Sequence, residues 1–164
     1  MGLLSKLRGR PSTTSTALAL HASGTVEVVG ESYRQDVLRR LATTTTDCAP
    51  YLEELSGSAL KQAQSDTTLR WFRAALVRES ENEYDENAIA VYADAVGRVG
   101  YLNRDDAMDY QPVFAELQRH GCSIGGCPAF LIGGQPGKPS FGVILCLSEP
   151  DEIVRDLNEP ESGT

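Results

Sequence analysis

No apolar run in this sequence approaches the ~18 residues that a membrane-spanning helix needs, so a helical span is excluded. Basic charge is also short: 15 Lys and Arg stand against 23 Asp and Glu, for a net charge of −8. That deficit argues against a non-specific grip on duplex DNA, which depends on neutralising many phosphates. A small basic pocket that takes one strand end stays open. Histidine is scarce, with only His21 and His120. No Gly-x-Ser-x-Gly elbow, His-Glu-x-x-His or paired Cys-Pro motif occurs, so the sequence offers no familiar catalytic constellation.

Other motifs fall short on spacing. In GGQPGKPS the glycines are too close for a Walker loop, and Pro139 separates Lys138 from Ser140, so nucleotide hydrolysis is not expected. DENAIA lacks the glycine and the bidentate glutamate of a calcium loop. Asp105, Asp106 and Asp109 open a helix, where acids complement the dipole, and nothing in the spacing adds the further carboxylate and lysine of a metal-dependent nuclease. His120, Cys122 and Cys127 do not have the Cys-x₂-Cys spacing of a zinc knuckle, and Cys48 or Cys146 would have to complete the set. Buried strand thiols are the expectation, with no metal and no cofactor. The start, MGLLSKLRGR, runs into PSTTST rather than an apolar core, and Lys6 stands where a myristoylation signal needs Ser or Thr. A cytoplasmic chain with reduced thiols is expected.

What is present fits one modest domain with tails: 164 residues, 41% hydrophobic and 23% charged. The charge is uneven. Residues 149–164 carry six acids against Arg155 alone, residues 1–24 carry three bases and no acid, and the body, 25–148, has seventeen acids and eleven bases. The division expected is a flexible N-terminal tether over 1–23, a barrel domain over 24–148 and an acidic tail over 149–164.

Alternating or apolar segments predict strands at 24–30, 69–79, 87–93, 97–102, roughly 122–132 and 141–147. Helical patterns cover 33–42, with Val37, Leu38 and Leu41 on one face, then 50–64 after an Asp47 cap, and about 104–120. Pro112 divides the last, and Gly121 closes it. Six strands, short helices and Gly/Pro turns predict a mainly β protein: a small barrel with a helical insertion. The only tryptophan, Trp71, is expected in the barrel core, and the fold is expected to survive removal of 1–22 and 150–164.

The most informative stretch is 82–104, NEYDENAIAVYADAVGRVGYLNR. A polar turn with Tyr84 and Asp85 enters one strand, and the paired strand ends at Tyr101 and Arg104, so both ends can lie close in space. An aromatic face, a carboxylate and a guanidinium at one rim can bind a base, a hydroxyl and a phosphate. The same residues also read as plain structure. Asn82, Asp85 and Asn87 form turns by bonding their own backbone, Tyr101 fits a half-buried face, and Arg104 fits a helix cap.

Three segments resemble the HIRAN domain family: VVGESY at 28–33, VRESENEYDENAIAVY at 77–92 and VGYLNRDDA at 99–107. The resemblance implies an OB-like six-stranded β-barrel over about 25–147, in a family whose members capture the 3′ end of single-stranded DNA in DNA repair and replication-fork processing. Carried to the matching positions, it implies that Tyr33 and Tyr84 stack on or wall the terminal bases. Asp85 would accept a hydrogen bond from the 3′-hydroxyl, Asn87 would brace the turn, and Tyr101 and Arg104 would meet the sugar-phosphate. Ser32 stands where well-studied members have an arginine, and Tyr101 where they have a histidine. The expected function is a stand-alone, non-catalytic module for single-stranded DNA ends. Two alternatives remain: a protein-interaction module with a degenerate DNA pocket that docks a partner through its acidic surface or tails, or an accessory subunit of a DNA-processing enzyme.

Overall fold

The structure is a computed structural model that describes residues 16–94 and 96–159. Its strands are β1 (Thr16–Ala19), β2 (Thr25–Val29), β3 (Arg70–Arg78), β4 (Ile89–Ala93), β5 (Gly97–Leu102), β6 (Cys122–Gln135) and β7 (Lys138–Cys146). The helices are α1 (Gln35–Ala42), α2 (Gly57–Ser65), α3 (Arg104–Asp109), α4 (Gln111–Arg119) and α5 (Pro150–Asn158), with single 3-10 turns at Glu31–Arg34 and Ala49–Glu54. Six strands pair antiparallel in the order β6-β3-β4-β5-β2-β7, and β7 returns to β6 to close the barrel. The protein is thus a mainly β, OB-like barrel with helical insertions. Among the described residues, no helix is long and apolar enough to cross a membrane.

Alternation along β3 sorts its side chains between two cores. Phe72, Ala74 and Leu76 point inward and join Val91, Val99, Leu131 and Leu145 in the barrel interior. Trp71 points the other way. It is buried, as expected, but in a second core outside the barrel wall, with Leu55, Ala59, Ala63, Phe130 and Cys146. The 3-10 turn at Ala49–Glu54 and α2 roof this outer face. Tyr51 stacks on Trp71 with ring centroids 6.2 Å apart, and Phe130 lies at 4.9 Å. The tryptophan is one residue out of register with the barrel-facing set, so the helical insertion, not the barrel, removes it from water. Arg73 closes the edge of this roof through a bidentate pair with Glu54 and lies over the Tyr51 ring.

The described parts of the expected tether and tail, residues 16–23 and 149–159, are ordered into the fold, while residues 1–15 and 160–164 lie outside the described residues. Residues 16–19 form β1, which pairs parallel with the first part of β6. That half of β6 lies beyond the reach of β7, so β1 covers an edge that would otherwise be open. Leu20 is buried against Gly125, where a Cβ would come within 2.5 Å of Leu20 Cδ1. At the other end α5 buries Ile153 completely and rests Val154 and Leu157 on the barrel core. The polar composition of both segments hid short apolar stripes, TALAL and IVRDL. The ends are also tied together. Ser148 Oγ lies 2.7 Å from His21 Nδ1 and accepts the Ser23 N–H at 2.9 Å, and Ser23 Oγ reaches the Glu152 carboxylate at 3.3 Å.

The single helix expected at 50–64 is a 3-10 turn and α2, separated at Leu55 and Ser56, and the Asp47 carboxylate accepts the Ala49 N–H at 3.0 Å. The last two strands run on to Gln135 and Lys138, so most of GGQPGKPS is hairpin rather than loop. Cys122, Cys127 and Cys146 are buried. Burial pushes their thiols up, that of Cys146 to about 12. Among the described residues no group of three or more His, Cys, Asp or Glu can hold a metal ion.

These anchors reverse the expectation for trimming. Removing 1–22 and 150–164 deletes β1, Leu20, Ala22 and Ile153, and should lower the melting temperature sharply or abolish cooperative unfolding. Leu20→Ala and Ile153→Ala in the full chain should each cost about 2–5 kcal/mol in urea titrations. Wild-type stability of the trimmed chain would show that the terminal segments are dispensable.

Candidate functional site

The segment between β3 and β4 is held by its own short polar side chains. Asn82 Oδ1 accepts the N–H groups of Tyr84 and Asp85 at 2.9 and 3.1 Å. Asp85 Oδ1 accepts the Asn87 N–H at 2.9 Å. Beyond these, Gln111 of α4 donates to the Asn87 carbonyl at 2.9 Å. The turn reading of Asn82 and Asp85 therefore holds in the structure. It leaves Asp85 Oδ2 available, and that oxygen faces Arg104 Nε at 3.8 Å. Tyr84 is thrown outward, 84% exposed.

Arg104 opens α3, but it is not the cap. Asn103 Oδ1 accepts the Asp106 N–H at 2.8 Å and does that work. The guanidinium is left largely in solvent beside Asp85, so the hairpin geometry does bring Asp85 and Arg104 together.

Tyr101 is half-buried on the outer face of β5, with Val29 of β2 directly opposite and 39% exposed. Its hydroxyl donates to Glu79 Oε1 at 3.1 Å, and Glu79 also accepts from Asn82 Nδ2 at 3.0 Å. Burial and that bond to Glu79 raise the Tyr101 phenol above its ordinary range, so it stays a donor. The strand and the turn are thus joined through one carboxylate.

A β-bulge sets the rest of this face. Tyr92 pairs with Arg98 and Val91 with Gly100, so Val99 is the extra residue on β5. Residues three apart on a regular strand point to opposite sides; the extra residue puts Arg98 and Tyr101 on the same one. Arg98 then lies over the Tyr101 ring, 5.1 Å from its centroid. Gly100 is required here because a Cβ would stand 2.5 Å from Val28 Cγ1 and from the Val29 carbonyl. Sequence reading did not single out Arg98. Its signal was the Arg-Val-Gly-Tyr order, which becomes informative only once the bulge is known.

Tyr33 stands apart from the Asp85–Arg104 pair. It lies in the 3-10 turn after β2, 87% exposed, next to Arg34, whose Nε donates to the Arg98 carbonyl at 3.2 Å. That places the turn at the Arg98 end of β5. Arg104 lies beyond the other end, past roughly 13 Å of strand. The six residues singled out from the sequence therefore do not gather at one rim. They are spread along a face, with Tyr33 at one end, Tyr84, Asp85, Asn87 and Arg104 at the other, and Tyr101 between. Val29, Ser32, Asn103 and Lys138 line a hollow of ≈ 450 Å³ between β2 and the β6–β7 hairpin.

This is a small closed barrel with an aromatic and cationic outer strip. Residues 72–129 match the HIRAN domain, and the chain carries a HIRAN-domain region there. The match runs from β3 into β6 and takes in the 79–88 turn, β5 and α3; the VVGESY segment with Tyr33 lies outside it. No curated protein matches the chain. A crystal structure of a protein from Lactobacillus plantarum is similar at 26% identity over 76% of this chain and 88% of that chain, with a TM-score of 0.42.

Asn82→Ala removes the acceptor for two backbone N–H groups and should cost about 1–2 kcal/mol. Hydrogen exchange at the Tyr84 and Asp85 amides should accelerate. Unchanged protection at both would show that the turn is held by other contacts.

Proposed function

We propose that this protein is a non-catalytic module that binds single-stranded DNA, recognising its 3′ end, in DNA repair or replication-fork processing. The observation that carries the reading is the pair of Asp85 Oδ2 and Arg104, 3.8 Å apart beside the exposed ring of Tyr84. Single-strand sites combine aromatic platforms with a few cations, and the HIRAN-domain region supplies the class of ligand. In this reading a terminal base stacks on Tyr84 and the 3′-hydroxyl donates to Asp85 Oδ2. Arg104 and the edge of Tyr101 meet the sugar-phosphate, Asn87 braces the turn through its main chain, and Tyr33 walls a base further along.

The net charge of −8 favours a second reading, a barrel that docks a protein partner through its acidic surface. In that case the exposed tyrosines would not select a DNA end.

Anisotropy with labelled oligonucleotides that carry a free or phosphorylated 3′ end separates the two. A 3′-phosphate removes the hydroxyl donor and sets negative charge against Asp85, so free ends should bind more tightly. Asp85→Ala should weaken binding to free ends and narrow that preference. Tyr84→Ala should weaken both ligands alike, by about 1–3 kcal/mol. A folded Asp85→Ala protein with both affinities unchanged would overturn end recognition.

A further inference from the structure

We infer that Arg98, assisted by Arg34, forms a second phosphate-binding subsite on the outer face of β5, which carries the strand from its captured end toward Tyr33. This rests on the single-strand reading above and adds residues that the reading does not use. The Arg98 guanidinium is positioned by a ring, not by a carboxylate: its carbon lies 5.1 Å over Tyr101. Among the described residues no acid makes an ion pair with Arg98 or Arg34. Arg98 Nε is buried with no hydrogen-bond partner, an uncompensated state for a group that ordinarily bonds.

A cation held against an aromatic face keeps its charge and its outer N–H groups for a ligand. Glu79, which borders this face, is committed to the Tyr101 hydroxyl and to Asn82. The surroundings suit a strand rather than a lone anion. Val29 and Tyr101 give an apolar floor, Tyr33 stands at the Arg34 end, and Arg34 is tied to the same strand because its Nε donates to the Arg98 main-chain carbonyl. Guanidinium is the side-chain group best matched to phosphate oxygens. The ligand class is therefore the internal phosphodiester of a single strand, two or so linkages from the 3′ terminus.

The test is salt-dependent binding of a dinucleotide and a hexanucleotide, both with free 3′ ends, to the full chain. The unaltered protein should show a steeper slope of log affinity against log salt for the hexanucleotide, by about 0.7 for each added phosphate contact. Arg98→Gln should weaken the hexanucleotide roughly tenfold, the loss expected for one charge-assisted bond, and remove about 0.7 from its slope, with dinucleotide binding unchanged. Arg98→Lys should keep the slope, and Arg34→Gln should reduce it. Equal slopes for the two oligonucleotides on the unaltered protein would overturn the subsite without any variant. A tenfold loss in Arg98→Gln with the slope unchanged would also overturn it, since the residue would then act only by holding Tyr101. If Arg98→Gln binds like the wild type while Asp85→Ala still loses its end preference, the subsite fails and end recognition stands. Absence of binding to either oligonucleotide by the unaltered protein overturns both.

Discussion

Closure of the barrel depends on β6, a 14-residue strand that hydrogen bonds to three neighbours. Its first part lies between β1 and β3, and its later part between β3 and β7. Backbone groups left unpaired on a strand edge are costly when buried and adhesive when exposed. One long strand with staggered partners avoids both outcomes. The stagger explains why residues just outside the six-stranded barrel are structural: β1 satisfies the edge that β7 leaves, and Leu20 fills the space above Gly125. It also explains the His21–Ser23–Ser148–Glu152 cluster, which fixes the segment entering the barrel to the one leaving it.

A closed wall has two faces, and this protein uses its outer face in two ways. On the β3–β6–β7 side the insertion between β2 and β3 lays Tyr51, Leu55, Ala59 and Ala63 over Trp71 and Phe130 and makes a second core. On the β5 side Val29, Arg98 and Tyr101 remain partly exposed on the outer wall. The two treatments are complementary. Full burial of Trp71, Phe130 and their neighbours on one side gives the wall rigidity, and partial exposure on the other leaves aromatic and cationic groups on a fixed support. A site on strands is held more firmly than one on loops. The turn that carries Tyr84 and Asp85 gains comparable order from Asn82, Glu79 and Gln111.

The charge balance is reconciled locally. The chain as a whole is acidic, yet the arginines of the β5 strip are not neutralised in the same manner. Arg104 shares Asp85, while Arg98 rests on a ring and Arg34 on a carbonyl. Net charge describes long-range attraction and solubility. It does not describe a strip a few residues wide whose acids are already engaged in hydrogen bonds.

The strand-rich class, the β4–β5 hairpin, the break at Pro112 and the Asn82–Asp85 turn were all legible from residue order. Each of these is set by period-two alternation, by a proline or glycine, or by a side chain bonding its own backbone within a few residues. Such signals are complete inside a short window. Tertiary structure alone decided the rest. Trp71 could be assigned to a buried face from its alternation, but which core received it depended on where residues 49–63 fold back. The terminal segments read as polar because their apolar residues are few, and only contact with β6 and the barrel floor makes Leu20 and Ile153 anchors. Asp85 and Arg104 were legible as neighbours because paired strands join their ends. The separation of Tyr33 from them, and the pairing of Arg98 with Tyr101, were not, because both follow from a single extra residue in β5 and from the order in which strands meet around the barrel.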